Sequence, residues 1–149
     1  MLALGYARYS VPNVGMDQGM RKGAVRILVA DDFAPWRREV RAILQARPEW
    51  SVIGEAGDGW QASQKAEKLR PDLVLLDIGM PGLSGIQAAE DIQRISPGSK
   101  IIFLTQDGDV AVRRAALASG AQGYVLKASA VSELIPAISA AVRNGDGTA

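Results

Sequence analysis

The stretch DLVLLD, residues 72–77, decides the fold: four successive apolar residues stand between two aspartates, with no alternation to mark a solvent face. A strand with one wet face alternates, whereas a central strand of a parallel sheet, covered by helices on both faces, reads as a continuous apolar run. KIIFLT (100–105) has the same character, and VRILVA (25–30), SVIGEA (51–56) and GYVLK (123–127) complete a set of five short runs. Between them apolar residues recur at helical spacing: Trp36, Val40, Ile43 and Leu44, then Ala62, Ala66 and Leu69, then Ala88, Ile92 and Ile95, then Val112, Ala115 and Ala116. Strands alternating with single crossover helices predict an α/β fold, a doubly wound five-stranded parallel sheet with flanking helices.

Boundary residues give the same segmentation. Asp32 or Phe33 followed by Pro35 suits a helix start, because proline fits the first turn and a carboxylate accepts amide hydrogens there. Arg47-Pro48, Arg70-Pro71 and Ser96-Pro97-Gly98 stop helices, and Ser119-Gly120 offers a left-handed exit. The last helix is expected to begin between Ser129 and Ser132 and to run to about Arg143. Pro136 is expected near its first turns or at a bend, since deep in a helix it removes a backbone bond. The expected organisation is a flexible tail over 1–24, one domain over 25–143, and a tail or linker start over 144–149. Met16 and Met20 leave the point of initiation open.

Composition narrows the chemistry. The 149 residues contain no Cys and no His, which excludes disulfides, Cys/His zinc sites, Cys-His dyads and Ser-His-Asp triads. Polar chemistry must run on carboxylates, lysines, hydroxyls or a hard cation bound by oxygen. The net charge of +1 is uneven: residues 1–26 carry +3 and the rest −2, so the folded part is mildly acidic, unlike most DNA-binding domains. No apolar run approaches the roughly 20 residues needed to cross a bilayer, and the N-terminus lacks the form of a signal peptide. A cytoplasmic protein is expected.

Ligands of an open parallel sheet bind beyond the carboxyl ends of its strands, where the winding reverses. Here those ends carry Asp31-Asp32, Asp77, Thr105 and Lys127. Singly, each has an ordinary explanation: Asp32 as a helix cap, Asp31 as a solvated loop acid, Thr105 and Lys127 as plain strand ends. Asp77 is different, because an ionisable group closing an apolar run is nearly buried and needs a partner. Three carboxylates at one edge repel unless a cation sits among them, and an all-oxygen set favours Mg²⁺ or Mn²⁺ over zinc.

Taken together, LVADD (28–32), LVLLDIGMPGLSGIQA (73–88), IIFLT (101–105) and GYVLK (123–127) resemble the receiver domain of bacterial two-component response regulators, a flavodoxin-like fold. SVIGEAGDG (51–59) and GAQGYVLK (120–127) look most like the branch that commonly carries a LuxR-type helix-turn-helix after the receiver. The resemblance implies a signalling protein and not an enzyme in the ordinary sense. Asp77 would be the phosphoacceptor, supplied by a sensor histidine kinase or a histidine phosphotransfer protein. Asp31, Asp32, Asp77 and the backbone carbonyl of Gly79 would hold Mg²⁺, and Lys127 and Thr105 would contact the phosphoryl oxygens. Thr105 and Tyr124 would then bias a two-state surface made of the fourth helix, fifth strand and fifth helix. On its residues alone, Tyr124 reads as a half-buried strand aromatic.

Three positions depart from the commoner pattern. Gln106 stands where a small residue is usual, Gly79 lacks a side chain that often influences attacking water, and Ala128 replaces the proline that frequently follows the lysine. The first two are expected to alter phosphoryl lifetime. Two rivals fit less well. A phosphatase of the haloacid-dehalogenase kind needs a second acid at position 79, and a flavin carrier needs a phosphate loop where DDFAPW (31–36) would repel phosphate. A degenerate receiver acting as a binding module is opposed by the complete acid, threonine and lysine set. Six residues after Arg143 are too few for a helix-turn-helix, so this chain alone is not expected to read DNA. Homodimerisation through the switch face is compatible with the pattern.

Overall fold

A computed structural model describes residues 23–145. The tail expected over 1–24 and the C-terminal segment from 146 onward lie outside the described residues, apart from Gly23 and Ala24. Five strands, β1 (Val25–Ala30), β2 (Trp50–Ala56), β3 (Leu73–Leu76), β4 (Lys100–Thr105) and β5 (Gly123–Leu126), alternate with helices α1 (Ala34–Leu44), α2 (Gly59–Leu69), α3 (Gly85–Ile95), α4 (Val110–Ala118) and α5 (Ala130–Gly145). All strand pairs are parallel, in the order β2-β1-β3-β4-β5. The chain therefore winds outward from β1 to β2, returns past β1 to β3, and continues to the other edge. The reversal leaves a crevice beyond the ends of β1 and β3.

The sheet separates two apolar layers, and successive strand residues feed them in turn, as the two-residue strand period requires. Ile27, Val29, Leu73, Leu75, Ile102 and Leu104 pack with Val40 and Leu44 of α1 and with Leu134 and Ile138 of α5. Leu28, Ala30, Val74, Leu76, Ile101 and Phe103 pack with Ala62 and Ala66 of α2, Ala88, Ala89 and Ile92 of α3, and Ala116 of α4. The second layer takes its helical contribution mostly from alanines, which lets α2 and α3 lie close to the sheet. Every residue of β3 is buried, which is why DLVLLD shows no alternation.

Local chemistry sets the helix ends. Asp58 caps α2 through the Gln61 amide at 2.8 Å, Ser84 and Gln87 form a reciprocal capping box on α3, and Asp109 caps α4 through Ala111 and Val112. Each such cap contributes about 1 kcal/mol. At the amino ends of the strands, the Arg26 guanidinium donates to the Leu69 and Arg70 carbonyls, both at 2.7 Å, and the Arg26 amide donates to Asp72 Oδ2 at 2.8 Å. Arg70, left-handed at φ 49°, reaches the Ile95 carbonyl with its own guanidinium, and the Ser99 hydroxyl donates to the Pro71 carbonyl at 2.6 Å.

Several expectations need correction. The carboxylate at the start of α1 that accepts an amide is Asp31, from Phe33 N–H at 2.8 Å; Asp32 makes no cap, and Phe33 occupies the N-cap position. Helix α1 ends at Leu44, short of Arg47-Pro48. In α4 only Ala116 is buried, and Ala115 faces solvent. Pro136 lies inside α5, in its second turn and so near the first turns as expected, yet far enough in to remove a backbone bond. An internal proline costs about 3 kcal/mol, and here the burial of Leu134, Ile138 and Ala141 offsets it. Helix α5 also continues to Gly145, past Arg143, and Lys127 opens a short 3₁₀ turn, Lys127–Ser129, instead of ending β5. Among the described residues, no helix is long and apolar enough to cross a membrane.

Candidate functional site

Strand register assembles the site. Ala30 pairs with Leu76, so the next residues, Asp31 and Asp77, emerge side by side, and the Asp77 amide donates to the Ala30 carbonyl at 3.0 Å. Thr105 pairs with Leu126, which brings the hydroxyl and Lys127 to the same edge. An open cleft of about 640 Å³ results, lined by Asp32, Phe33, Asp77, Ile78, Gly79, Thr105, Gln106, Asp107 and Lys127. Asp31 stands behind this lining, 2% exposed, with Asp77 at 7% and Thr105 at 2%. Asp31, Asp32 and Asp77 each present a carboxylate oxygen within 4.8 Å of the others.

Lys127 Nζ lies 2.6 Å from Asp31 Oδ2 and 3.7 Å from Asp77 Oδ2. The shorter approach is an ion pair outside hydrogen-bonding angles, so Asp31 Oδ2 remains a buried acceptor with no hydrogen bond among the described residues. The ammonium also sits 5.4 Å from the centroid of the Trp36 ring, a cation–π distance. Burial pushes the Asp77 carboxyl above its ordinary range; Lys127 opposes this, Asp31 adds to it, and the Thr105 hydroxyl and Gly79 amide draw it back. Three carboxylate oxygens within 4.8 Å of one another, with only the Lys127 ammonium among them, form an all-oxygen set that fits a hard divalent cation.

Five of the seven residues singled out from sequence (Asp32, Asp77, Gly79, Thr105 and Lys127) line the cleft, and Asp31 backs it. Tyr124 does not. It is half-buried on β5, its hydroxyl donates to the Asp107 carbonyl, and the Arg113 guanidinium lies 5.5 Å from its ring centroid. Gln106 lines the cleft while remaining exposed. Gly79 borders open space, with nothing within 4 Å of where a Cβ would stand.

Sequence reasoning passed over Arg37 and Glu55. Arg37 Nε meets Glu55 Oε1 at 2.7 Å, Arg41 Nε meets Glu55 Oε2 at 2.5 Å, and Arg37 Nη1 donates to the Asp31 carbonyl at 2.5 Å. Nothing in the spacing of Arg37 and Glu55 marks them as partners. Arg41 first, then Arg37, holds the Glu55 carboxyl below its usual value of 4.5. The folded state thus binds this proton less tightly than the unfolded chain. The stabilisation is complete above about pH 4.5 and is lost as pH falls through the lowered value. Glu55→Gln is therefore expected to lower the urea midpoint at pH 7, by about 1 kcal/mol of stability, with the gap to wild type closing in acid. A gap that stayed constant down to pH 3 would contradict the ionic origin.

Known proteins place the chain. A family model described as the response regulator receiver domain matches residues 27–139. The uncharacterized transcriptional regulatory protein YxjL of Bacillus subtilis is 40% identical over 124 residues, covering 83% of this chain and 57% of its own length. The transcriptional regulatory protein LiaR of the same organism is 39% identical, covering 78% and 56%. The chain thus spans about half the length of the curated relatives it matches. Among solved structures, a LuxR-family two-component response regulator from Aurantimonas superposes with a TM-score of 0.78 at 32% identity, over 82% of this chain and 87% of that one. The response regulator domain of Thermotoga maritima CheB gives 0.75 at 30%, over 80% and 97%. With an acid cluster at the β1/β3 switch point, a doubly wound sheet and these matches, the chain belongs to the response regulator receiver family, near its LuxR-type branch.

Proposed function

We propose that the chain receives a phosphoryl group on Asp77 from the phosphohistidine of a sensor kinase or histidine phosphotransfer protein, and that it signals by changing a protein-binding surface. In the transfer a P–N bond of the donor breaks and a P–O bond to an Asp77 carboxylate oxygen forms. The observation that carries this reading is the placement of Lys127 Nζ 3.7 Å from Asp77 Oδ2 in an open cleft where three carboxylates converge. Asp31, Asp32 and Asp77, with the Gly79 carbonyl, would hold Mg²⁺ or Mn²⁺, which neutralises charge on the phosphoryl oxygens. Lys127 contributes the second positive charge, and Thr105 supplies a hydroxyl at the same edge. Donor access is favoured by the bare Gly79 and the openness of the cleft.

Output follows from Thr105 and Tyr124. A hydroxyl drawn toward a phosphoryl group on Asp77 would vacate space behind it, and Tyr124 would exchange its bond to the Asp107 carbonyl for a position further in. That biases α4, β5 and α5, of which α4 is the least buried. A homodimer through this face fits the reading. DNA recognition is not assigned to this segment, whose folded part is mildly acidic.

Incubation with acetyl phosphate and Mg²⁺ is expected to add one phosphoryl group by intact mass, with loss of the adduct on hydroxylamine treatment. Chelation by EDTA should reduce the yield to background. Labelling indifferent to EDTA, or recovered on a residue other than Asp77, would count against the assignment.

A further inference from the structure

We propose that Arg37 is a positioning residue for the acidic pair Asp31-Asp32, orienting the peptide between them so that their carboxylates meet Asp77 around one cation. The inference deepens the function proposed above and rests on its reading of the carboxylates as cation ligands.

The hydrogen-bonding groups of Asp31 are nearly all committed. Its amide donates to the Ala56 carbonyl of β2 at 2.9 Å, and its Oδ1 accepts from the Phe33 amide at 2.8 Å. Its carbonyl accepts from Arg37 Nη1 at 2.5 Å, which leaves Oδ2 alone to face the ammonium of Lys127. The carbonyl held by Arg37 belongs to the same planar peptide as the Asp32 nitrogen, so fixing one fixes the other. Asp32 needs that help. It is exposed, and no hydrogen bond of its side chain is found among the described residues, so its carboxylate takes its direction from the backbone it stands on.

Arg37 can act this way because it is itself held. Its Nε is bound by Glu55 Oε1 at 2.7 Å while the other oxygen of Glu55 is taken by Arg41, and the Glu55 carbonyl accepts from Lys65. The Arg37 side chain, 19% exposed, thus bridges the end of β2 to the loop after β1. A planar fork with diverging donors suits two fixed acceptors better than a flexible ammonium does. Groups that orient metal ligands commonly affect metal affinity without touching the metal.

Charge and position pull in opposite directions here, which makes the role testable. A guanidinium beside a dication repels it, so removing Arg37 would tighten binding if charge alone mattered. Loss of orientation would weaken it. The experiment titrates the intact chain with MgCl₂, following tryptophan fluorescence or heat, and measures Tm of every variant without metal. Arg37→Gln is expected to weaken Mg²⁺ binding about tenfold. Arg37→Lys, which keeps the charge and loses the fork, should recover only part of this. Arg41→Gln breaks the same Glu55 cluster without touching Asp31, and its affinity should stay within about twofold of wild type even where Tm falls comparably. Affinity in Arg37→Gln equal to or tighter than wild type, or an equal loss in Arg41→Gln, would overturn the inference while leaving the proposed function standing. A wild-type chain that binds no Mg²⁺ would overturn both.

Discussion

Replacing Asp77 by Asn should reduce phosphoryl labelling from acetyl phosphate by more than about a hundredfold, because a neutral carboxamide offers no anionic oxygen for attack. The same substitution should make the protein more stable in the absence of divalent cation. Burial raises the Asp77 carboxyl above its usual 3.8, with the neighbouring Asp31 adding to the shift and Lys127 opposing it. A raised acid means that the folded state holds the proton more tightly than the unfolded chain. The ionised form therefore costs stability at every pH above the raised value, a cost that vanishes below about 3.8. Asparagine removes that charge, and a gain of about 1 kcal/mol at pH 7 is expected, shrinking in acid. Intact mass after reaction and urea midpoints at pH 7 and pH 4 test both halves. Full labelling of Asp77→Asn would sink the acceptor assignment.

An equally large effect is expected at a residue with no functional group. A Cβ built on Gly85 would lie 2.0 Å from the Asp77 carbonyl oxygen, 2.6 Å from Ile78 Cα and 2.8 Å from the Asp77 carbonyl carbon. These are backbone atoms and cannot swing aside. The Asp77 amide is tied to β1 through Ala30, and the Gly85 amide holds the Ile78 carbonyl at 2.9 Å, so the loop from 77 to 85 closes tightly on itself. Gly85→Ala must push α3 away from Asp77 or displace Asp77 from the sheet. A loss of about 3 kcal/mol is expected, on the order of 10 °C in Tm, together with labelling well below what the folded fraction explains. Gly98→Ala, where a Cβ meets nothing within 4 Å, provides the matched control. A Gly85→Ala melting point within a degree or two of wild type would contradict the close packing.

The sheet was legible because burial on both faces writes itself into sequence as uninterrupted apolar runs, and DLVLLD is the clearest of them. Site residues were legible for a related reason. In a parallel sheet all carboxyl ends point to one edge, so Asp31, Asp77, Thr105 and Lys127 could be brought together without knowledge of any side-chain rotamer. Three features were hidden because they depend on tertiary packing. Arg37 and Glu55 meet only when β2 lies beside β1 and α1 turns one face toward it; eighteen positions of sequence carry no trace of that. Pro136 contradicts local propensity, and only the burial of its helical neighbours explains its place. Ala115 shares the spacing of buried residues yet faces solvent, because α4 is short and lies against the sheet through Ala116. The start of α1 shows a subtler limit: adjacent aspartates look alike in sequence, and only the path of the chain decides which one folds back on the Phe33 amide.

The two ends of the strands are held very differently. At the amino ends, Arg26, Arg70, Ser99 and Asp72 tie β1, α2, α3 and β4 together through backbone carbonyls and amides. At the carboxyl ends, three acids and one lysine face an open cleft, and several of the hydrogen bonds there close short loops, from the Phe33 amide to Asp31, the Gly85 amide to the Ile78 carbonyl and the Asp109 amide to Asp107. Helix α4, with Ala116 its one buried residue, is the most weakly held element beside the cleft, so the cheapest excursions of the backbone are expected there while the opposite rim stays closed. A domain stapled across one rim can rearrange α4 beside the other without loosening its foundation.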